Sequence, residues 1–268
     1  MIQFKSKHLT VFQSALYMTT TAIIEANDVV VMTDPNWLPS EIEVIKEYIT
    51  KQLGNRQLYI IYTHSDFVHI IGAGAFPEAK VIASERFTKN PNKEEILQTI
   101  HQFDQSYYLS RNYDMIYPNV DIVIKDDGHK IELGELTLTF YLAPGHTEDG
   151  LFTVVEPYGI FFAGDYLSDV EFPFISSSYE DYVHTINKAE TIFESNKIAT
   201  LVPGHGTTTQ NQNEIKKRIN IAKDYLERLP HDNGELESFL QKKYKFFEGM
   251  KSNHLENKRY TESGPVSE

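Results

Sequence analysis

Four short stretches carry side chains that could do chemistry together: THSDFVH around His64 and His69, APGHT at His146, AGDYLSD at Asp165 and VPGHG at His205. Each closes an apolar, β-rich run. Three of them set a glycine beside the polar residue, where the backbone must turn sharply and approach a bound group closely. Imidazole is the commonest metal-binding side chain, and aspartate adds negative charge. His64, Asp66, His69, His146, Asp165 and His205 therefore form a candidate set of nitrogen and oxygen donors for a metal centre. A lone loop histidine is usually only solvated or hydrogen-bonded. An ordered series of strand-end histidines points instead to a shared cation. His8, His101, His129, His184, His231 and His254 lack that context. The chain has no cysteine, which excludes thiolate ligands, disulfides and cysteine nucleophiles.

The bulk composition narrows the ligand. The chain has 268 residues, 41% hydrophobic and 24% charged, which is enough for a sizeable core. Its formal charge of −13 repels a phosphate backbone, so nucleic acid is not an expected partner. The segment MIQFKSKHLTVFQSALYMTTTAIIEA has lysines before a moderately apolar run, but Gln13, Ser14 and three threonines interrupt it, and no signal-type cleavage site follows. No stretch approaches the ~18 apolar residues of a membrane span. The expectation is a cytoplasmic protein acting on a small-molecule substrate, with no membrane partner and with a homodimer left open.

The elements that must position the donors follow from patterning. TTAIIEANDVVVMTDP reads as two strands joined at Asn27-Asp28. PSEIEVIKEYITKQL reads as an amphipathic helix with Ser40 capping and Glu43 three residues on. QLYIIYTH is a buried strand that delivers His64, KVIAS is a further strand, and a helix is expected around Glu94 to Phe103. Strands flank Asp127-Gly128 and Gly134, and GLFTVVEPYGIFFAGD is a hairpin ending at Asp165. SYEDYVHTINKAETIFES and NQNEIKKRINIAKDYLERL have helical spacing, with the strand ATLV between them. The tail beyond His231 is expected to hold one more helix and to fray through TESGPVSE. With no linker-like segment, this is one α/β (α+β) domain of two similar halves, each a sheet with helices outside. The main body is residues 1–229, and 230–268 form a C-terminal helical extension of the same domain.

The order and spacing of these motifs resemble the metallo-β-lactamase superfamily of metallohydrolases, over about residues 10 to 229. The resemblance rests on HSDFVH against the family's HxHxDH, on the later GHT histidine, GD aspartate and GH histidine, and on the Asp-Pro turn at Asp34. It implies a four-layer αββα sandwich with one or two divalent metal ions. By position, one metal would take His64, Asp66 and His146, the second His69 and His205, and Asp165 would bridge them. Asp66 stands where the family has histidine, as in its di-iron flavoproteins. Val68 stands where the family has aspartate, which costs the second site a ligand and a charge. The carboxylate content opens the metal choice from zinc to iron or manganese.

The implied chemistry is metal-assisted hydrolysis of an ester, lactone, thioester or phosphodiester, as in the family's lactonase and glyoxalase II-like branch. With Val68 in place of the motif aspartate, Asp66 is the candidate catalytic proton acceptor. Tyr166, Arg111 and Tyr108 are candidates for substrate binding, and Ser168, Asp169 and Glu171 for lining the pocket or supporting the ligands. Two other readings compete: a di-iron redox or oxygen-handling protein, suggested by Asp66, and a weakly active or non-catalytic binding protein, suggested by Val68.

Overall fold

The computed structural model describes residues 1–262. The chain opens with a hairpin, β1 (Ile2–Lys5) and β2 (Leu9–Gln13), and the β-branched run that follows forms β3 (Thr20–Glu25) and β4 (Val29–Thr33). These four pair antiparallel, and β5 (Gln57–Ile61), β6 (Lys80–Ser84) and β7 (Ile122–Ile124) extend the sheet in parallel. Helix α1 (Pro39–Leu53) crosses from β4 to β5. It begins at Pro39 rather than at a Ser40 cap: Glu41 Oε2 reaches back to the Leu38 N–H at 3.0 Å, so the capping acid is Glu41, not Glu43. The short α2 (Phe67–Ile70), α3 (Glu85–Lys89) and the longer α4 (Lys93–Ser106) complete the first half.

The second sheet is the antiparallel series β8 (His129–Leu133), β9 (Leu136–Leu142), β10 (Leu151–Glu156) and β11 (Ile160–Phe162), with β12 (Thr200–Val202) parallel to β11. Helix α5 (Tyr179–Ser195) is capped by Ser178 Oγ, which accepts the Asp181 N–H, and α6 (Gln212–Arg228) is capped by the Asn211 side chain. Beyond His231 the described residues hold two helices rather than one, α7 (Glu235–Lys243) and α8 (Phe247–Glu262). The end of the expected frayed tail, residues 263–268, lies outside the described residues.

Side-chain alternation sorts the core into three apolar layers. In β4, Val29 and Val31 face the second sheet, while Val30 and Met32 face α1. In β10 and β11, Leu151, Val155, Ile160 and Phe162 point into the inter-sheet layer, and Phe152, Val154 and Phe161 point to the helices outside. α1 and α4 cover the first sheet through Ile42, Ile45, Ile49 and Ile100. α5 to α8 cover the second, with Leu236, Leu240, Phe247 and Met250 sharing one layer with Ile186 and Ile219. Three apolar layers between helices, sheet, sheet and helices make a four-layer αββα sandwich. Its sheets have seven and five strands, so the halves are related but unequal. Among the described residues no helix is long and apolar enough to cross a membrane.

Candidate metal centre

The donors leave the sheets at one edge of the sandwich. β5 runs through Thr63 into His64 and Asp66, and one turn of α2 brings His69 back beside them. From the other sheet, His146 follows β9, Asp165 follows β11 and His205 follows β12. Because β11 and β12 are parallel neighbours, their two exits lie side by side. The approach is close enough to demand glycine at 204, where an added Cβ would sit 2.2 Å from Asp165 Oδ1. Gly145 has φ +125, and a Cβ there would strike the Tyr182 backbone at 2.4 Å.

Asp165 lies at the focus. Its Oδ2 faces His64 Nε2 at 3.4 Å, His146 Nε2 at 3.3 Å and His205 Nε2 at 3.2 Å, and its Oδ1 faces His69 Nε2 at 3.1 Å. Asp66 Oδ2 is 3.2 Å from His146 Nε2 and 3.7 Å from His64 Nε2. The donors fall into two groups that share Asp165: His64, Asp66, His146 and Asp165 in one, and His69, Asp165 and His205 in the other. Within each group the donor atoms lie within 4.8 Å of one another.

The opposite side of every ring is fixed. His146 Nδ1 donates to the Phe174 carbonyl and His205 Nδ1 to the Tyr17 carbonyl, both at 2.8 Å. His69 Nδ1 lies 3.2 Å from Asp34 Oδ2, and His64 Nδ1 lies 3.0 Å from Thr63 Oγ1. Since the Thr63 hydroxyl proton goes to Asp34 Oδ2 at 2.6 Å, Thr63 Oγ1 must accept from His64. All four rings thus hold their Nδ1 proton on an outer partner and turn Nε2 inward. Nε2 of His64, His69 and His146, with Oδ1 of Asp165, is buried without a hydrogen-bond partner. Ring nitrogens converging on a carboxylate, with their outer nitrogens anchored, are what a bound cation requires. The donor set fits one or two divalent metal ions, and its nitrogen and carboxylate mix suits zinc, iron or manganese.

The electrostatics agree. Burial pushes the His64 pKa down, but Asp165 and Asp66 override it and raise it to about 10. His146, His69 and His205 are raised by the same carboxylates against the same burial. Burial pushes Asp165 and Asp66 up, yet the surrounding imidazoles hold both below the usual carboxylate range. The cluster demands positive charge, which protons or a metal can supply.

Val68 is 8% exposed and belongs to the apolar layer between α1 and the first sheet. It adds no donor, so the second group stays at three. The expected substrate contacts are placed differently. The Tyr166 hydroxyl accepts the His146 N–H and points to the Ala143 and Pro144 carbonyls, all at 2.9 Å, so this buried residue supports the ligand loop. Arg111 is held by Asp104 through Nε at 2.8 Å and an Nη at 2.9 Å, and also by the Trp37 carbonyl. Tyr108 is 96% exposed. Arg111 and Tyr108 line a separate depression that contains none of the six donors, because the irregular stretch after α4 packs against Trp37 and Asp104 rather than over the centre. Asp169 and Ser168 brace neighbouring turns: Asp169 Oδ1 accepts the Thr207 N–H at 2.7 Å, and Ser168 Oγ accepts the Val170 and Glu171 N–H groups. Glu171 Oε1 lies 3.5 Å from His205 Nδ1. Sequence reasoning assigned no role to Asp34, although Asp34-Pro35 closes β4 beside the strand that carries His64. That adjacency was the available signal.

A four-layer sandwich with paired imidazole–carboxylate donor groups at one edge defines an αββα architecture built around a candidate metal centre. The chain belongs to the metallo-beta-lactamase superfamily, whose family model matches residues 16–205. Its structure is similar to an inverting sec-alkylsulfatase from Pseudomonas sp. (TM-score 0.69, 12% identity, 85% of this chain), but it spans only 42% of that protein's length. An archaeal superfamily protein from Sulfolobus tokodaii is similar over 97% of this chain and 100% of its own (TM-score 0.60, 16% identity). A class B3 di-zinc metallo-beta-lactamase from an Alaskan soil metagenome is similar over 82% and 90% (TM-score 0.59, 15% identity). At such identities the likeness is one of fold. No curated protein matches the sequence.

Proposed function

We propose that this protein is a metal-dependent hydrolase of a small polar ester-type substrate: an ester, lactone, thioester or phosphodiester. The observation that carries this reading is the convergence of four anchored imidazoles on Asp165 beside an open groove. Divalent cations held there by the six donors would supply Lewis acidity and lower the pKa of water toward neutrality. The protein's own residues do the rest. Asp165 and the four histidines hold the charge in place, and their Nδ1 partners prevent the rings from turning. Asp66 is 46% exposed on its side chain, whereas the four histidines and Asp165 are nearly buried. It is therefore the member able to pass a proton between the cluster and the groove.

That groove, about 560 Å³, is lined at the cluster by Ser65, Asp66 and Thr147. Its walls carry both signs of charge, Arg86 and Lys89 against Glu95, Glu148 and Asp149, with Asn90, Asn92, Ser176 and Ser177 between them and only Phe67, Pro91 and Ile96 as larger apolar surface. Such walls favour a compact polar substrate over one with a long hydrocarbon tail. The test is metal analysis after reconstitution with zinc, manganese or iron, combined with a hydrolysis panel of phosphodiesters, thioesters, lactones and carboxylate esters. Metal uptake with turnover of at least one member is expected; failure to retain any metal would overturn the reading. The carboxylate Asp66 in the first donor group favours a second reading, a di-iron redox protein, which visible absorption of the iron-loaded protein and its loss on reduction would reveal.

A further inference from the structure

The C-terminal helix α8 lies beyond the residues matched by the family model, yet it reaches the candidate centre through one buried side chain. Asn257 is 1% exposed. Its Nδ2 donates to the Pro173 carbonyl at 2.5 Å, and its Oδ1 accepts the Ile175 N–H at 2.8 Å. The Ile175 N–H and the Phe174 C=O belong to the same planar peptide unit. On the other side of that unit, the Phe174 carbonyl accepts His146 Nδ1 at 2.8 Å. Asn257 therefore fixes the plane of the peptide that sets the ring orientation of His146. The aligned bonds also polarise one another, strengthening the carbonyl as an acceptor.

Asn257 is itself oriented from behind. Its Nδ2 also donates to Tyr225 Oη at 2.8 Å, so the Tyr225 hydroxyl is free to donate to His254 Nδ1 at 3.1 Å. His254 Nε2 then faces Asp232 Oδ2 at 3.5 Å. The relay runs one way, from α8 through Asn257 and the Phe174–Ile175 peptide to one metal ligand of the first donor group.

We infer that Asn257 is a positioning residue for His146, coupling the C-terminal helix to metal affinity at the four-donor group. This inference rests on the proposed metal-binding reading. The test is a Co(II) titration followed by visible absorption, with chelator competition and thermal melting, on the full chain. Asn257→Ala should weaken the tighter Co(II) site by about 10–100-fold and change its absorption bands. Binding at the second site should change by less than about threefold, since His69 and His205 are anchored elsewhere. Tyr225→Phe removes hydrogen bonds from α8 but leaves Asn257 on the peptide, so it should lower the melting temperature with little effect on affinity. Asn257→Leu, which keeps volume without hydrogen bonding, replaces N257A if the latter does not fold. Wild-type Co(II) affinity in N257A, an equal loss in Y225F, or failure of both N257A and N257L to fold would each overturn the inference. Absence of Co(II) binding by the unaltered protein would instead defeat the metal-binding reading itself.

Discussion

Asp34→Asn changes one oxygen to an amide group and should disturb both donor groups at once. The Asp34 carboxylate accepts the Thr63 N–H at 2.8 Å, the Thr63 hydroxyl at 2.6 Å and His69 Nδ1 at 3.2 Å. If the amide oxygen stays on the Thr63 N–H, the new NH2 faces two donors. Thr63 must then turn its proton away from residue 34, where it either points at His64 Nδ1 and removes that acceptor or goes unpaired. His69 must move its proton to Nε2, where it occupies the lone pair aimed at the centre. Hydrogen bonds to a charged group contribute about 1.5–3 kcal/mol each, so losing two from a buried carboxylate should destabilise the apo fold by about 3 kcal/mol or more. Removing such an outer partner typically costs 10–100-fold in metal affinity, or about 1.4–2.8 kcal/mol. Competition against a chromophoric chelator, run alongside melting of the metal-free protein, reads both quantities. Wild-type affinity for both ions in D34N would refute the argument that anchored Nδ1 atoms hold the lone pairs inward.

Val68→Asp sets a carboxylate next to the donor His69 in the chain, so bound metal per chain should rise at limiting free metal, as plasma emission would show; an unchanged ratio would mean that position 68 stays in the apolar layer and does not reach the centre. Arg111→Ala breaks a buried bidentate pair with Asp104 and should cost about 3–5 kcal/mol in denaturant unfolding, whereas Tyr108→Ala should stay within about 0.5 kcal/mol, and neither should alter metal affinity. The pH response should have opposite signs with and without metal. In the apo protein His64 is raised from 6.5 to about 10, so its stabilising contribution is complete below pH 6.5 and is lost as pH rises toward 10. Asp66 is lowered from 3.8, so its share is present above that value and is lost in stronger acid. Apo melting temperature should therefore decline from about pH 6 to 10, while the increment from added metal grows over the same range as the ligands shed protons. Parallel pH curves for the two forms would contradict this.

Much of the site could be read from the sequence because its donors sit where strands stop, and strand ends announce themselves through an apolar run followed by glycine or a polar turn. His64, His146, Asp165 and His205 all have that signature. What anchors them does not. Phe174 and Tyr17 act through backbone carbonyls, which any residue could supply, so no side-chain pattern marks them. Arg111 stood out by residue type, but its partner Asp104 lies within the preceding helix, and helical spacing alone does not show that the chain folds back onto it. The edge hairpin β1–β2 was masked by its resemblance to a charged, moderately apolar leader. The second C-terminal helix was obscured because its apolar contacts, Phe247 and Met250, are few and widely spaced.

The donors come equally from both sheets, and the rim between them is stitched by backbone: the Leu151 N–H to the Thr63 carbonyl and the Thr20 N–H to the Gly204 carbonyl, both at 2.7 Å. These bonds close the seam without using any of the six donor side chains. An incoming ion therefore spends little of its binding free energy on ordering the polypeptide. A chelator should accordingly strip this protein without unravelling it, leaving a scaffold that can be reloaded with a different metal.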